Sequence, residues 1–338
     1  MSKVKSFLSY IVAGPVQLGP ADPARKSTPH NNCGILVGIY ITTGRFKRTR
    51  RCCAGTMRSE RSALKDIARR GYTLIDVPPE LCARASRGLR VAAALFQLAE
   101  PIKAACRADE ERFSCGWRQP PSAENPSEVW HVQMREPDGF WPAELTEERD
   151  AVCELLDSAV KYVAPLLDDI ARCYGGQVSA DLQTSIQHGP STLRLLSYEG
   201  SETTVRFPPH LDYGIATLFI GATNPGLEVR EPDGSWSLSE ASPEKWLLCA
   251  GEMLNVLTGN IVPPVWHRVR EVPTRRYSLA IFVHPEPHFV LGPGSDGELT
   301  AGNYFAERIR QLRASVPAQQ ESRSAGSGSP GLQPVGSF

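Results

Sequence analysis

The chain has 338 residues, enough to bury a substantial core, and its 37 Lys+Arg balance 37 Asp+Glu. A neutral balance gives no overall field for nucleic acid or an anionic membrane, and no run of about 18 apolar residues offers a membrane span. Nine cysteines, an odd number without a CxxC pair, argue against a zinc ribbon, a thioredoxin motif or a secreted disulfide framework, and fit thiols in a reducing cytoplasm.

Residues 1–56 form a basic leader, with nine Lys or Arg against the single acid Asp22. Such a segment reads as a disordered tail, an organelle-targeting peptide or sequence upstream of the true start, with Met57 as the alternative start because a regular helix begins there. From Ser59 the pattern gives a helix, a short strand "YTLIDVP", and a long helix from Pro79 to Cys106 broken or kinked near Pro101. Residues 107–145, rich in Pro, Trp and charge, read as loop. A second long helix follows, with Val152, Leu155, Leu156, Ala159, Val160, Val163, Leu166, Leu167 and Ile170 on one stripe and Gly175 and Gly176 closing it. Pro165 is expected to bend it.

After Gly176 the texture changes to short β-type runs: "TLRLLSY", "TTVRFPPHLDY", "IATLFIGA", "GLEVRE", "KWLLCA", "MLNVLTG", "WHRVREV" and "RYSLAIFVHP". Strands at this spacing, with turns such as "EPDGSW" and "NPG", indicate a sandwich, jelly roll or barrel. A helix over Ala301–Arg313 closes the sheet, and residues 314–338 have the composition of disorder. The division is a leader (1–56), an N-terminal helical or substrate-lid region (57–175), a β core with its closing helix (176–313) and a tail (314–338).

His210 and Asp212, in "RFPPHLDYGIATLF", are two apart, so on a strand they project from one face. His267 lies 55 residues after Asp212 on another expected strand. Two imidazoles and one carboxylate on one side of an octahedral metal leave three adjacent positions open and suit Fe(II), whereas zinc sites prefer four-coordinate closure. Nine residues on, Arg276 and then Ser278 share a strand face, and a guanidinium fork with a hydroxyl is a receptor for a carboxylate. Each of the remaining histidines is better read as structural or exposed, with His131 and His188 in loops and His284 and His288 near prolines. Trp130, Met134 and Phe282 are candidates to line a pocket, with core packing the alternative for Phe282.

These residues resemble the iron(II)- and 2-oxoglutarate-dependent dioxygenases of the isopenicillin N synthase-like family. The resemblance runs from about Ala68 to Arg313 and is carried by "LRLLSY", "PPHLDYGIATLF", "CAGEMLNVLTGN", "WHRV" and "RYSLAIF". It implies an α+β protein, mainly β, with a double-stranded β-helix (jelly roll) core and an N-terminal helical region. It also implies His210, Asp212 and His267 as iron ligands and Arg276 and Ser278 on the distal carboxylate of 2-oxoglutarate. Tyr198 stands where the family often places a tyrosine that reaches the co-substrate. Two departures are visible: Glu199 follows Tyr198 where proline is usual, and the spacing from His267 to Arg276 is about one residue short. The implied activity is O2-dependent hydroxylation, desaturation or cyclisation of a small molecule, an amino acid-derived or secondary metabolite, without nucleic acid or membrane partners. Three alternatives stay open: an iron oxidase that does not use 2-oxoglutarate, a catalytically silent binding module, and a zinc hydrolase. Substrate and oligomeric state are not legible.

Overall fold

A computed structural model describes residues 58–107, 115–119, 127–133, 140–175, 181–202, 205–295 and 297–315. The leader, Met57, Met134 and the tail from 316 lie outside the described residues. Among the described residues, no helix is long and apolar enough to cross a membrane.

The N-terminal part comprises α1 (Arg58–Arg70), β1 (Tyr72–Asp76), α2 (Pro79–Gln97) and α3 (Glu100–Ala105). The helical region expected over Pro79–Cys106, broken or kinked near Pro101, is two helices. The chain breaks at Leu98 and Ala99, ahead of Pro101, whose missing N–H and ring are excluded from a helix interior but accepted in the first turn of α3. The segment read as loop contains two strands, β2 (Gly116–Arg118) and β3 (Ser127–Gln133). They escape a sequence reading because β3 is buried on both faces and so lacks a clean alternation. Next comes α4 (Thr146–Tyr174), 29 residues that run on through Pro165, then α5 (Leu182–His188), a helix the sequence reading did not include.

The β region contains β4 (Thr192–Tyr198), β5 (Phe207–His210), β6 (Ala216–Ala222), β7 (Leu227–Arg230), β8 (Trp236–Leu238) and β9 (Lys245–Ala250). It continues with α6 (Glu252–Leu257), β10 (His267–Val269), β11 (Arg276–Val283), the hairpin β12 (Val290–Gly294) and β13 (Gly297–Thr300), and α7 (Ala301–Ser315). The run "MLNVLTG", expected as a strand, forms α6, a length at which periodicity does not separate the two.

A seven-stranded antiparallel sheet has the order β1-β9-β6-β11-β4-β3-β2, and a four-stranded sheet the order β5-β10-β7-β8. The two sheets face one another as a jelly roll, as expected. The register of the large sheet assigns its faces: Trp130, Leu195, Ile281, Leu218 and Leu248 stand on one, His131, Arg194, Ala280, Phe219 and Leu247 on the other. The first face is covered by α2 and α4, whose Leu95, Leu155, Leu156 and Val163 are fully buried in the same apolar cluster. That layer holds the largest apolar cluster among the described residues and so contributes most of their hydrophobic stabilisation. The second face meets the small sheet through Val129, Leu196 and Tyr198 packed on Val269 and Phe207. Functional groups accordingly collect between the sheets, away from the helical layer.

Candidate metal centre and co-substrate clamp

β5 is the edge strand of the small sheet, which is why it tolerates Pro208 and Pro209, whose missing N–H groups would break a central ladder. It pairs with β10 so that His210 lies directly opposite His267, with ring centroids 4.1 Å apart. Asp212 is not on the strand with His210. It sits in the turn after β5 and reaches back, its carboxylate oxygens 3.7 Å from His210 Nε2 and 3.4 Å from His267 Nε2. The expectation of a shared strand face thus gives way to a cross-strand histidine pair closed by a turn aspartate. One ligand-capable atom from each of the three residues lies within 4.8 Å of the others.

The tautomers suit a metal. His210 Nδ1 lies 3.0 Å from the Pro208 carbonyl and His267 Nδ1 lies 3.1 Å from the Val265 carbonyl. A carbonyl only accepts, so each Nδ1 carries the proton and each Nε2 presents its lone pair toward Asp212. Desolvation, reinforced by neighbouring His267, pushes the His210 pKa down to about 3, which keeps the ring neutral. Burial would raise the Asp212 carboxyl, but it lies below the usual carboxylate value, with the Thr217 hydroxyl donating to its Oδ2. Thr217 projects from β6 on the inter-sheet face and was not identified from sequence, because only the pairing of β6 with its neighbours brings it under the turn.

The clamp lies farther along the same face. Arg276 opens β11 opposite Tyr198 at the end of β4, and Ser278 is two residues on; all three are buried. Arg276 Nε donates to the Asn224 carbonyl at 2.9 Å, whereas its buried Nη1 has no partner. Its carbon Cζ stands 5.5 Å from the Tyr198 ring centroid, and the Ser278 hydroxyl contacts the Tyr198 phenol. Arg276, Ser278 and Tyr198 line one cavity of about 240 Å3, with Leu196, Phe219 and Val269 completing its apolar wall. An orphaned buried guanidinium nitrogen beside a hydroxyl is a site built for an anion.

Residues 189–285 match the 2OG-Fe(II) oxygenase superfamily. That stretch is a 2OG-Fe(II) oxygenase superfamily domain. Fe(II) and 2-oxoglutarate are the cofactors of such oxygenases, and the donor set and the unpartnered Arg276 nitrogen fit them. The chain is 29% identical over 192 residues to isopenicillin N synthase of Streptomyces microflavus, covering 54% of this chain and 50% of that one. It is 32% identical over 95 residues to the 2-oxoglutarate-dependent dioxygenase AOP2 of Arabidopsis thaliana, 28% of this chain and 22% of that one. It therefore spans half or less of these curated relatives. Among solved structures, the dioxygenase for auxin oxidation 1 of Arabidopsis thaliana, in its 2-oxoglutarate complex, superposes with a TM-score of 0.58 at 18% identity, covering 71% of this chain and 90% of that one. The likeness supports the jelly-roll fold.

The other sequence candidates distribute differently. Trp130 is fully buried on the helical face, edge-on to Trp141, and so serves the core and not a pocket. Phe282 lies on the inter-sheet face, where the Arg194 guanidinium stacks on it at 4.4 Å. His188 and His288 are exposed and His284 is buried against Phe305. His131, expected in a loop, is a β3 residue only 1% exposed.

Proposed function

We propose that the chain is a non-haem Fe(II)- and 2-oxoglutarate-dependent dioxygenase that oxidises a small molecule by hydroxylation, desaturation or cyclisation. The observation that carries the reading is the conjunction of two free Nε2 lone pairs and one carboxylate with an unpartnered Arg276 nitrogen in the adjoining cavity. His210, Asp212 and His267 would hold the iron, leaving adjacent positions for co-substrate and O2. Arg276 and Ser278, beside Tyr198, would take the far carboxylate of 2-oxoglutarate. When bound, iron and 2-oxoglutarate supply the oxidising power: the co-substrate loses carbon dioxide and becomes succinate as O2 is consumed and the substrate is oxidised. The protein's own contribution is orientation and a dry wall. The backbone carbonyls of Pro208 and Val265 fix the two imidazoles, Thr217 holds the carboxylate, and Leu196, Phe219 and Val269 give the cavity an apolar wall.

Anaerobic titration of purified protein with Fe(II), followed by 2-oxoglutarate, tests this. We expect one iron per chain and saturable co-substrate binding. Asp212→Ala should lose the iron, and Arg276→Met should weaken 2-oxoglutarate at least tenfold while keeping it. A wild-type protein that binds no iron overturns the reading. The relation to isopenicillin N synthase favours one second reading, an iron oxidase that takes all its electrons from substrate. Iron binding without 2-oxoglutarate binding would select it.

A further inference from the structure

Next to the metal centre lies a cation that neither iron nor the clamp employs. Arg194, in the middle of β4, is on the inter-sheet face in one cross-strand row with His131 and Ala280. Its Nε donates to His131 Nε2 at 2.7 Å, and its guanidinium stacks on Phe282. Because Nε2 of His131 accepts, the proton of that ring sits on Nδ1, a buried donor with no partner. Among the described residues no acid forms an ion pair with Arg194. Burial lowers its pKa to about 10, which still leaves it charged at neutral pH. The acid whose charge reaches it is Asp212, and Arg194 in turn acts on His210, Asp212 and Tyr198. The guanidinium thus stands within electrostatic range of both the triad and the clamp.

Arg194 is half-buried with its Nε taken by His131, and its two Nη groups form a planar fork that matches a carboxylate. Asp212 cannot serve as the counter-ion of Arg194, because its oxygens are engaged by Thr217 and face the two imidazoles. Nor does the distal carboxylate of 2-oxoglutarate reach it. Arg194 and Tyr198 are four residues apart on one strand, about 13 Å at 3.3 Å per residue, and that carboxylate is already met by Arg276. We propose that Arg194, oriented by His131 and backed by Phe282, binds the carboxylate of the substrate, so that the oxidised molecule is a small carboxylic acid. The inference rests on the dioxygenase reading above for its claim that a substrate is turned over there, though not for the binding of the acid itself.

The test uses calorimetric titration of anaerobic protein loaded with Fe(II) and 2-oxoglutarate, with phenylacetate and hexanoate as probes beside their primary amides. At least one acid should bind ten times more tightly than its amide. The preference should fall below twofold in Arg194→Met and be partly restored in Arg194→Lys, with 2-oxoglutarate affinity retained in both. No acid bound better than its amide, an undiminished preference in Arg194→Met, or a loss confined to 2-oxoglutarate binding would each overturn the proposal. Should Arg194→Met not fold, the wild-type ratio and the lysine variant decide. Acid selectivity lost with Arg194 in a protein that takes up neither iron nor 2-oxoglutarate would sink the cofactor reading alone and leave the acid subsite standing.

Discussion

Thr217 connects the sheet to the candidate metal site through one hydroxyl. It donates to Oδ2 of Asp212, so replacing it with the isosteric valine removes a hydrogen bond and leaves the volume unchanged. Partners of a ligand typically contribute about 10–100-fold to metal affinity, and Thr217→Val should weaken Fe(II) binding by about that factor in chelator competition. A carboxylate that loses a donor protonates more readily, so half-release of iron should move to higher pH. Thr217 differs from the triad in how it announces itself. His210, Asp212 and His267 are legible because their residue types and spacing are restrictive, even though Asp212 turns out to lie in a turn. Thr217, like the contact between Arg194 and His131, exists only through pairing of strands distant in sequence, and a threonine or arginine in a strand has many ordinary reasons to be there.

At the scale of elements, the Asp212 turn is held by the start of α6. Glu252 N donates to the Asp212 carbonyl at 2.9 Å, Gly251 N to Ile215 and Met253 N to Gly214. Gly251 permits this approach, since a Cβ there would lie 2.2 Å from the Gly214 carbonyl oxygen and 3.1 Å from that of Asp212. Both obstacles are backbone, so Gly251→Ala must move the turn. Overpacking of this kind costs about 1–3 kcal/mol, and iron affinity should fall at least tenfold alongside a lower urea midpoint. Gly259, just beyond α6 at a φ of 59°, has nothing within 4 Å of its would-be Cβ. Gly259→Ala should therefore carry only backbone strain and leave iron affinity intact. The same helix marks where sequence reading failed. "EMLNVL" is too short for periodicity to tell helix from strand, whereas the 29 residues of α4 declare their stripe over eight turns. The strands around Trp117 and Trp130 were hidden for another reason: Pro-rich flanks suggest loop, and burial on both faces erases alternation.

Across the whole molecule, the large sheet separates stability from chemistry by assigning them opposite faces, and β11 carries both within eight residues. Ile281 points to the helical layer and is fully buried there, whereas Ser278, three positions earlier and on the opposite face, contacts Tyr198 beside Arg276. Ile281→Ala leaves a cavity against rigid helices, for which about 2–5 kcal/mol is the usual cost. Ser278→Ala removes one hydroxyl at a cavity already open enough for a ligand, so its stability should change by only about 1 kcal/mol. Urea unfolding and 2-oxoglutarate titration on both variants should therefore give crossed results. Ile281→Ala should lose stability and keep its 2-oxoglutarate affinity, and Ser278→Ala should do the reverse. The expectation depends on the sheet transmitting little between its faces, which its pairing on both sides of β11 favours: β4 and β6 hold the strand by continuous ladders, broken only at the Leu279/Ala280 irregularity against β6. A drop in co-substrate affinity in Ile281→Ala comparable to that in Ser278→Ala would mean that the helical layer sets the clamp's geometry, and that the two faces act as one unit.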